Sequence, residues 1–207
     1  KFGTSNGHIG NWNVSNVTTM SQMFYGATSF DQDIKTQSVT VNGSTYTAWN
    51  VSNVTNLHST FRGADEFDQT LTTWNVSNVT NMGYCFSGAY KFGTSNGHIG
   101  NWNTSNVKNM EGMFNSATSF NKNITTKTIS DSNDYPNGVS SSYNAWVTTN
   151  VTTMKSMFFY ASAFNQNIKN WDVTNVNDFS NMFYGATAMN NPSGYYAPDT
   201  PTSGWFS

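Results

Sequence analysis

Trp74-Asn75-Val76-Ser77-Asn78-Val79-Thr80-Asn81-Met82 is the stretch that decides how this chain is read, because versions of it recur along the sequence. Trp stands at 12, 49, 74, 102, 146, 171 and 205, and each of the first six opens such a segment. Self-similarity at a fixed period outranks local signals, since it marks units that cannot bury an apolar face alone and must stack on one another. Counting from each Trp, the fifth residue on is Val17, Val54, Val79, Val107, Val151 and Val176. The twelfth is Phe24, Phe61, Phe86, Phe114, Phe158 and Phe183, and the fifteenth is Ala27, Ala64, Ala89, Ala117, Ala161 and Ala186. Equivalent residues are therefore expected to pack into one continuous core, with Trp12, Trp49, Trp74, Trp102, Trp146 and Trp171 as a buried column.

Local patterning predicts a short helix and a strand in each unit. Met20, Met23, Phe24 and Ala27 fall at the spacing of one helix face. Before them comes Thr19, Asn56, Asn81, Asn109, Thr153 or Asp178, side chains that accept a hydrogen bond from a free helix N–H. Gly26, Gly63, Gly88 and Gly185 stand where a left-handed residue closes a helix, with Ser116 and Tyr160 as exceptions. In the other half, Trp171 and Val173 alternate with Asp172 and Thr174, the period of a half-buried strand.

Ile168, Trp171 and Val173 reproduce the spacing of a leucine-rich repeat. With the Trp-Asn-Val-Ser-Asn-Val-Thr-Asn-Met segment, the Met-Phe and Gly-Ala pairs, and Phe30 to Ile34 or Phe164 to Ile168 after them, the chain resembles the BspA-like surface-protein repeats, a divergent leucine-rich-repeat family. The resemblance covers nearly the whole sequence. It implies an α/β solenoid: a right-handed, leucine-rich-repeat-like array with one parallel strand and one short helix in each unit of about 25 residues. It also implies surface attachment. Asn16, Asn53, Asn78, Asn106, Asn150 and Asn175 lie one residue before the leucine-rich-repeat Asn position and are read as a buried structural ladder satisfying backbone groups of adjacent units.

The expected organisation is a single array over 1–207, with repeats at 12–48, 49–73, 74–101, 102–145, 146–170 and 171–191, and a C-terminal cap at 192–207. Lys1 to Asn11 are identical to Lys91 to Asn101, so 1–11 read as the tail of a truncated repeat and a larger block is duplicated. The array is expected to extend upstream of Lys1. Between Phe and the next Trp the first unit inserts Ser38 to Thr47, strand, Asn42-Gly43 turn, strand, a hairpin signal. The fourth unit carries a longer insertion, Thr126 to Ser142, with its turn expected at Asp134 to Gly138.

Composition narrows the function classes. Only 10% of residues are charged and 15% are aromatic, with a formal net charge of −2, which is neither a disordered composition nor a basic surface for nucleic acid. No apolar run reaches the roughly 18 residues of a membrane span. Cys85 is alone and takes a position that is Met in four other units, so it reads as a core residue. His8, His58 and His98 form no metal-ligand spacing, and Asp31, Asp33, Asp65, Glu66 and Asp68 do not recur in register, so neither a metal nor a paired-carboxylate site is nominated. The Asn-Val-Ser sequons follow from the repeat consensus and carry no weight.

The expected function is a non-enzymatic, extracellular scaffold on a cell or virion surface, without a cofactor, binding protein or glycan through its strand face or its inserted hairpins. The candidate binding columns are Asn13, Asn50, Asn75, Asn103 and Asp172, then Ser15, Ser52, Ser77, Ser105, Thr149 and Thr174, with Val147 interrupting the first. Expected partners are another surface's protein or glycan, or copies of the chain itself, with no nucleic acid and no membrane insertion. End-to-end stacking into a filament or layer is the alternative. Ice binding through Thr18, Thr55 and Thr80 is a third reading, weakened because Lys108 and Asn177 interrupt that column.

Overall fold

A computed structural model describes residues 9–130, 136, 139–190 and 196–206. Three aromatic columns run through the stacked units, because residues at equal repeat positions meet. Indole rings lie near-parallel at 6.2 Å between Trp12 and Trp49, 6.0 Å between Trp49 and Trp74, and 6.1 Å between Trp146 and Trp171. Phe24, Phe61, Phe86, Phe114, Phe158 and Phe183 stack in sequence at 5.4 to 5.8 Å. A second Phe column, Phe30, Phe67, Phe92, Phe120 and Phe164, runs beside it, and Phe61 meets Phe67 at 4.2 Å within one unit. Burying one Trp removes on the order of 200 Å² from water, about 5 kcal/mol of gross stabilisation.

The expected α/β solenoid, with a parallel strand and a short helix per unit, is not formed. Among the described residues the strands belong to two antiparallel pairs, and the helical segments are short 3₁₀ turns at Ile9–Asn11 and Ser203–Phe206. Where a helix was expected, residues 21–26 form consecutive turns. Met23 N–H bonds to Met20 C=O and Tyr25 N–H to Gln22 C=O, whereas the intervening Gln22 and Phe24 donate across to His58 and Thr60 of the next unit. Every second N–H is thus withdrawn from the local ladder. The backbone manages this by placing two residues in the left-handed region, Gln22 (φ 61°) and Gly26 (φ 67°), four positions apart. Ser59 and Gly63, Tyr84 and Gly88, Gly112 and Ser116, Ser156 and Tyr160, and Asn181 and Gly185 repeat the pair. Successive turns bring the same apolar positions inward as a helix would, and cross-unit bonding favours the turns.

The expected strand is also a turn. Val17 N–H bonds to Val14 C=O at 2.9 Å, and the equivalent bond closes in every later unit, Val54 to Val51 through Val176 to Val173. Ser and Asn occupy the tip while the two flanking apolar residues face the core. Parallel pairing shrinks to one isolated bridge per junction, joining Thr19, Asn56, Asn81, Asn109, Thr153 and Asp178 in series. Their side chains accept an N–H two residues on, as Asn109 does from Glu111 at 2.8 Å, capping a turn where a helix cap was expected.

Polar groups beside the aromatic columns are largely paired, while the buried Oδ1 atoms of Asn165 and Asn190 meet no hydrogen-bond donor among the described residues. In the second to sixth units the indole N–H reaches the carbonyl of the Ile or Leu that stands before the previous Trp of the series, Trp49 to Ile9, Trp74 to Ile34, Trp102 to Leu71, Trp146 to Ile99 and Trp171 to Ile124, at 2.7 to 3.0 Å. Where Val becomes Thr104 or Thr148, the buried hydroxyl donates to Val147 or Asp172 C=O of the next unit.

Two hairpins interrupt the stack at equivalent places. Strand β1 (Gln37–Val41) pairs antiparallel with β2 (Ser44–Ala48), and Asn42 and Gly43 both take the positive φ that a two-residue turn demands. Strand β3 (Lys127–Ile129) pairs with β4 (Tyr143–Ala145). Of the turn expected at Asp134 to Gly138, all but Pro136 lies outside the described residues. Tyr46 and Tyr143 anchor the hairpins by donating to the carbonyls of Asn11 and Asn101. Residues 196–206 close the sixth unit: Asp199 C=O accepts from Phe183 N–H, and Trp205 and Phe206 pack against Phe183 and Phe179.

Candidate functional site

The polar columns nominated from sequence line the turn tips. The Oδ1 of Asn13, Asn50, Asn75 and Asn103 accepts the backbone N–H of Ser15, Ser52, Ser77 and Ser105 at 3.1 to 3.2 Å, and Asp172 does the same for Thr174 at 3.0 Å. These side chains therefore shape the turn as well as face solvent, which sequence alternation did not reveal. Hydrogen bonds from Thr174 hold the Asp172 carboxyl below its ordinary value. Thr149 stands at the tip of the fifth unit, where Val147 replaces the Asn.

The neighbouring Asn column works between units. The side-chain amides of Asn53, Asn78, Asn106, Asn150 and Asn175 donate to the carbonyls of Ser15, Ser52, Ser77, Ser105 and Thr149 at 2.7 to 2.9 Å. They bridge turn tip to turn tip, as a ladder, yet every one is exposed, as is Asn16, so the burial expected of them is corrected. Exposure follows from their place at the apex of a turn, not inside it. Thr55, Thr80 and Thr152 spend their hydroxyls on the preceding unit's carbonyl, so that column offers no free row of hydroxyls. Beyond the sixth tip, Asp172 and Thr174 border an open cleft of about 480 Å³ with Ser203 and Phe206.

Acidic residues missed as a set have a local role. Asp31 Oδ1 accepts Asp68 N–H, and the Asp68 carboxylate gathers the N–H groups of Gly93, Ser95 and Asn96 at 2.8 to 3.0 Å. The signal lay in their common repeat position, nineteen residues after Trp12 and Trp49. Asp33 pairs with Lys35 and Glu66 with Lys91 at the surface. Cys85 is fully buried, and desolvation pushes its thiol well up, so it is a core group. His58 packs edge-on to Tyr84, burial lowers His98, and His8 lies outside the described residues. Among the described residues no three His, Cys, Asp or Glu side chains gather as a metal site, and no helix is long and apolar enough to cross a membrane.

The family described as "Mycoplasma protein of unknown function, DUF285" matches the chain over residues 2–46, 36–142 and 138–202. The chain belongs to that family. DUF285 proteins are repeat-containing and surface-associated, in agreement with the coarse BspA-like resemblance, and their function is not established. No curated protein and no solved structure matches.

Proposed function

We propose that this DUF285 chain is a non-enzymatic binding scaffold, displayed at a surface, that attaches to protein or glycan through its row of turn tips. One observation carries the reading: the same small polar turn recurs unit after unit, fixed by Asx turns and bridged by exposed Asn amides. Such a row repeats donors and acceptors at constant geometry and, apart from Asp172, without charge. Attachment should then depend weakly on salt. End-to-end assembly is less well supported, because two of the sixth unit's N–H groups that would meet a following copy, those of Asn181 and Phe183, are engaged by Thr200 and Asp199.

Asn50, Asn75 and Asn103 close the turns, so the side chains to alter are the serines. Ser52→Lys, Ser77→Lys and Ser105→Lys combined should leave the urea midpoint unchanged and weaken attachment to glycan- or protein-coated surfaces at least tenfold. Attachment at full strength would remove the turn tips from consideration and shift the search to the β1–β2 and β3–β4 hairpins.

A further inference from the structure

Gly26, Gly63 and Gly88 stack directly, all with φ between 67° and 70°. A β-carbon on Gly63 would lie 3.6 Å from Gly26 Cα, and one on Gly88 3.7 Å from Gly63 Cα. Further along the same column Tyr160 lays its ring over Gly185, 2.4 Å from where a β-carbon would be, and fills the space. In the first three units nothing fills it, leaving an open trough of about 350 Å³, the low end of the ~300–1,000 Å³ typical of small-molecule sites.

The side chains lining this trough include exposed rings and charges that join no ion pair among the described residues. Tyr25 and Tyr90 are exposed at 56% and 49%. Arg62 is held against Tyr25 and Tyr84, its guanidinium carbon 5.8 and 5.0 Å from the ring centroids, and it pairs with no carboxylate among the described residues. Asp65 offers a carboxylate that takes part in neither described ion pair. Ser87, only 8% exposed, lines the trough, and its hydroxyl has no hydrogen-bond partner among the described residues. That hydroxyl opens on the trough and is free to donate to and accept from a ligand there.

We propose that this trough is a saccharide subsite taking a neutral mono- or disaccharide. A pyranose presents an apolar C–H face, which suits the rings of Tyr25 and Tyr90, and a rim of hydroxyls that donate and accept. Arg62 donates to that rim, Asp65 accepts, and Ser87 does both. The N–H groups of Gly26, Gly63 and Gly88 are spent on Arg62, Ser87 and Asn115 carbonyls, so a peptide gains no main-chain pairing here. One cation beside one carboxylate disfavours phosphates.

Saturation-transfer NMR of the whole chain with lactose, maltose and N,N′-diacetylchitobiose tests this. At least one sugar should show transfer, and Tyr90→Ala and Ser87→Ala should each weaken its binding about tenfold with the urea midpoint of Tyr90→Ala unchanged. No transfer from any of the three sugars to the native chain, or less than a threefold change in both variants, would overturn the proposal. The subsite rests on the scaffold reading only for its use. Transfer without surface attachment ends that reading and keeps the trough, and attachment without transfer does the reverse.

Discussion

The first and third units carry nearly the same residues and meet very different surroundings. Trp12 is 41% exposed while Trp74 is fully buried, and Val17 and Ala27 are half-buried where Val79 and Ala89 are sealed. Asn78 bridges to Ser52, whereas Asn16 has no such partner among the described residues. The motif fixes which side chains turn inward, and only a neighbour on each side completes their burial. Stability is thus unevenly distributed along a chain whose sequence is nearly periodic.

Truncating the indoles should make that unevenness largest. Trp74→Ala opens a cavity and strands the Ile34 carbonyl, costing about 3–5 kcal/mol, whereas Trp12→Ala should cost about 1–2 kcal/mol. Equal urea-denaturation losses would erase the difference between the two units. Alkali offers a second probe, specific to the third unit. The folded Cys85 thiol keeps its proton where the unfolded thiol loses it, so stability is complete below about pH 8.5 and falls by up to ~1.4 kcal/mol per pH unit above it. Denaturation midpoints between pH 8 and 10 should show this slope, and Cys85→Ala should remove it.

At the turn tips the contrast narrows. Asn78→Ala should cost about 1 kcal/mol and Asn16→Ala less than about 0.5 kcal/mol, read as the difference in urea midpoint. The smallest effect has the most telling sign. A helix would lose about 0.5–1 kcal/mol on Gln22→Gly, but Gln22 is exposed at φ 61°, so glycine should raise stability by roughly 0.5 kcal/mol. A thermal midpoint that falls in this variant would argue for helical backbone at residues 21–26.

Which residues meet was legible in the sequence, since equal spacing sets Phe24 on Phe61 and Phe61 on Phe86. How the backbone carries them there was not. Apolar residues three and four apart suit a helix and a run of i to i+3 turns alike. The deciding signal, a second left-handed residue at Gln22, Ser59, Tyr84, Ser156 and Asn181, sits mostly on residues with no visible preference for it. Gly112 alone in that column hinted at it. The candidate columns were legible as positions, but their Asx turns were hidden by a Trp-x-Val alternation that resembles a strand. The trough was not legible at all, because it depends on three glycines lacking side chains while Tyr160 fills the same place further on.

The crossing hydrogen bonds also have a direction. On the Phe side, four N–H groups at each junction, such as those of Met20, Gln22, Phe24 and Gly26, point toward the following unit. On the turn-tip side, Thr55 N–H, the Asn53 amide and the Trp49 indole point toward the preceding one. Peptide dipoles of about 3.5 D that add along an α-helix are here set partly against each other across the width of the stack. The protein therefore lacks the strongly polarised ends of a long helix, and its electric field is expressed across its flanks, between a face of aligned donors and one aligned the opposite way.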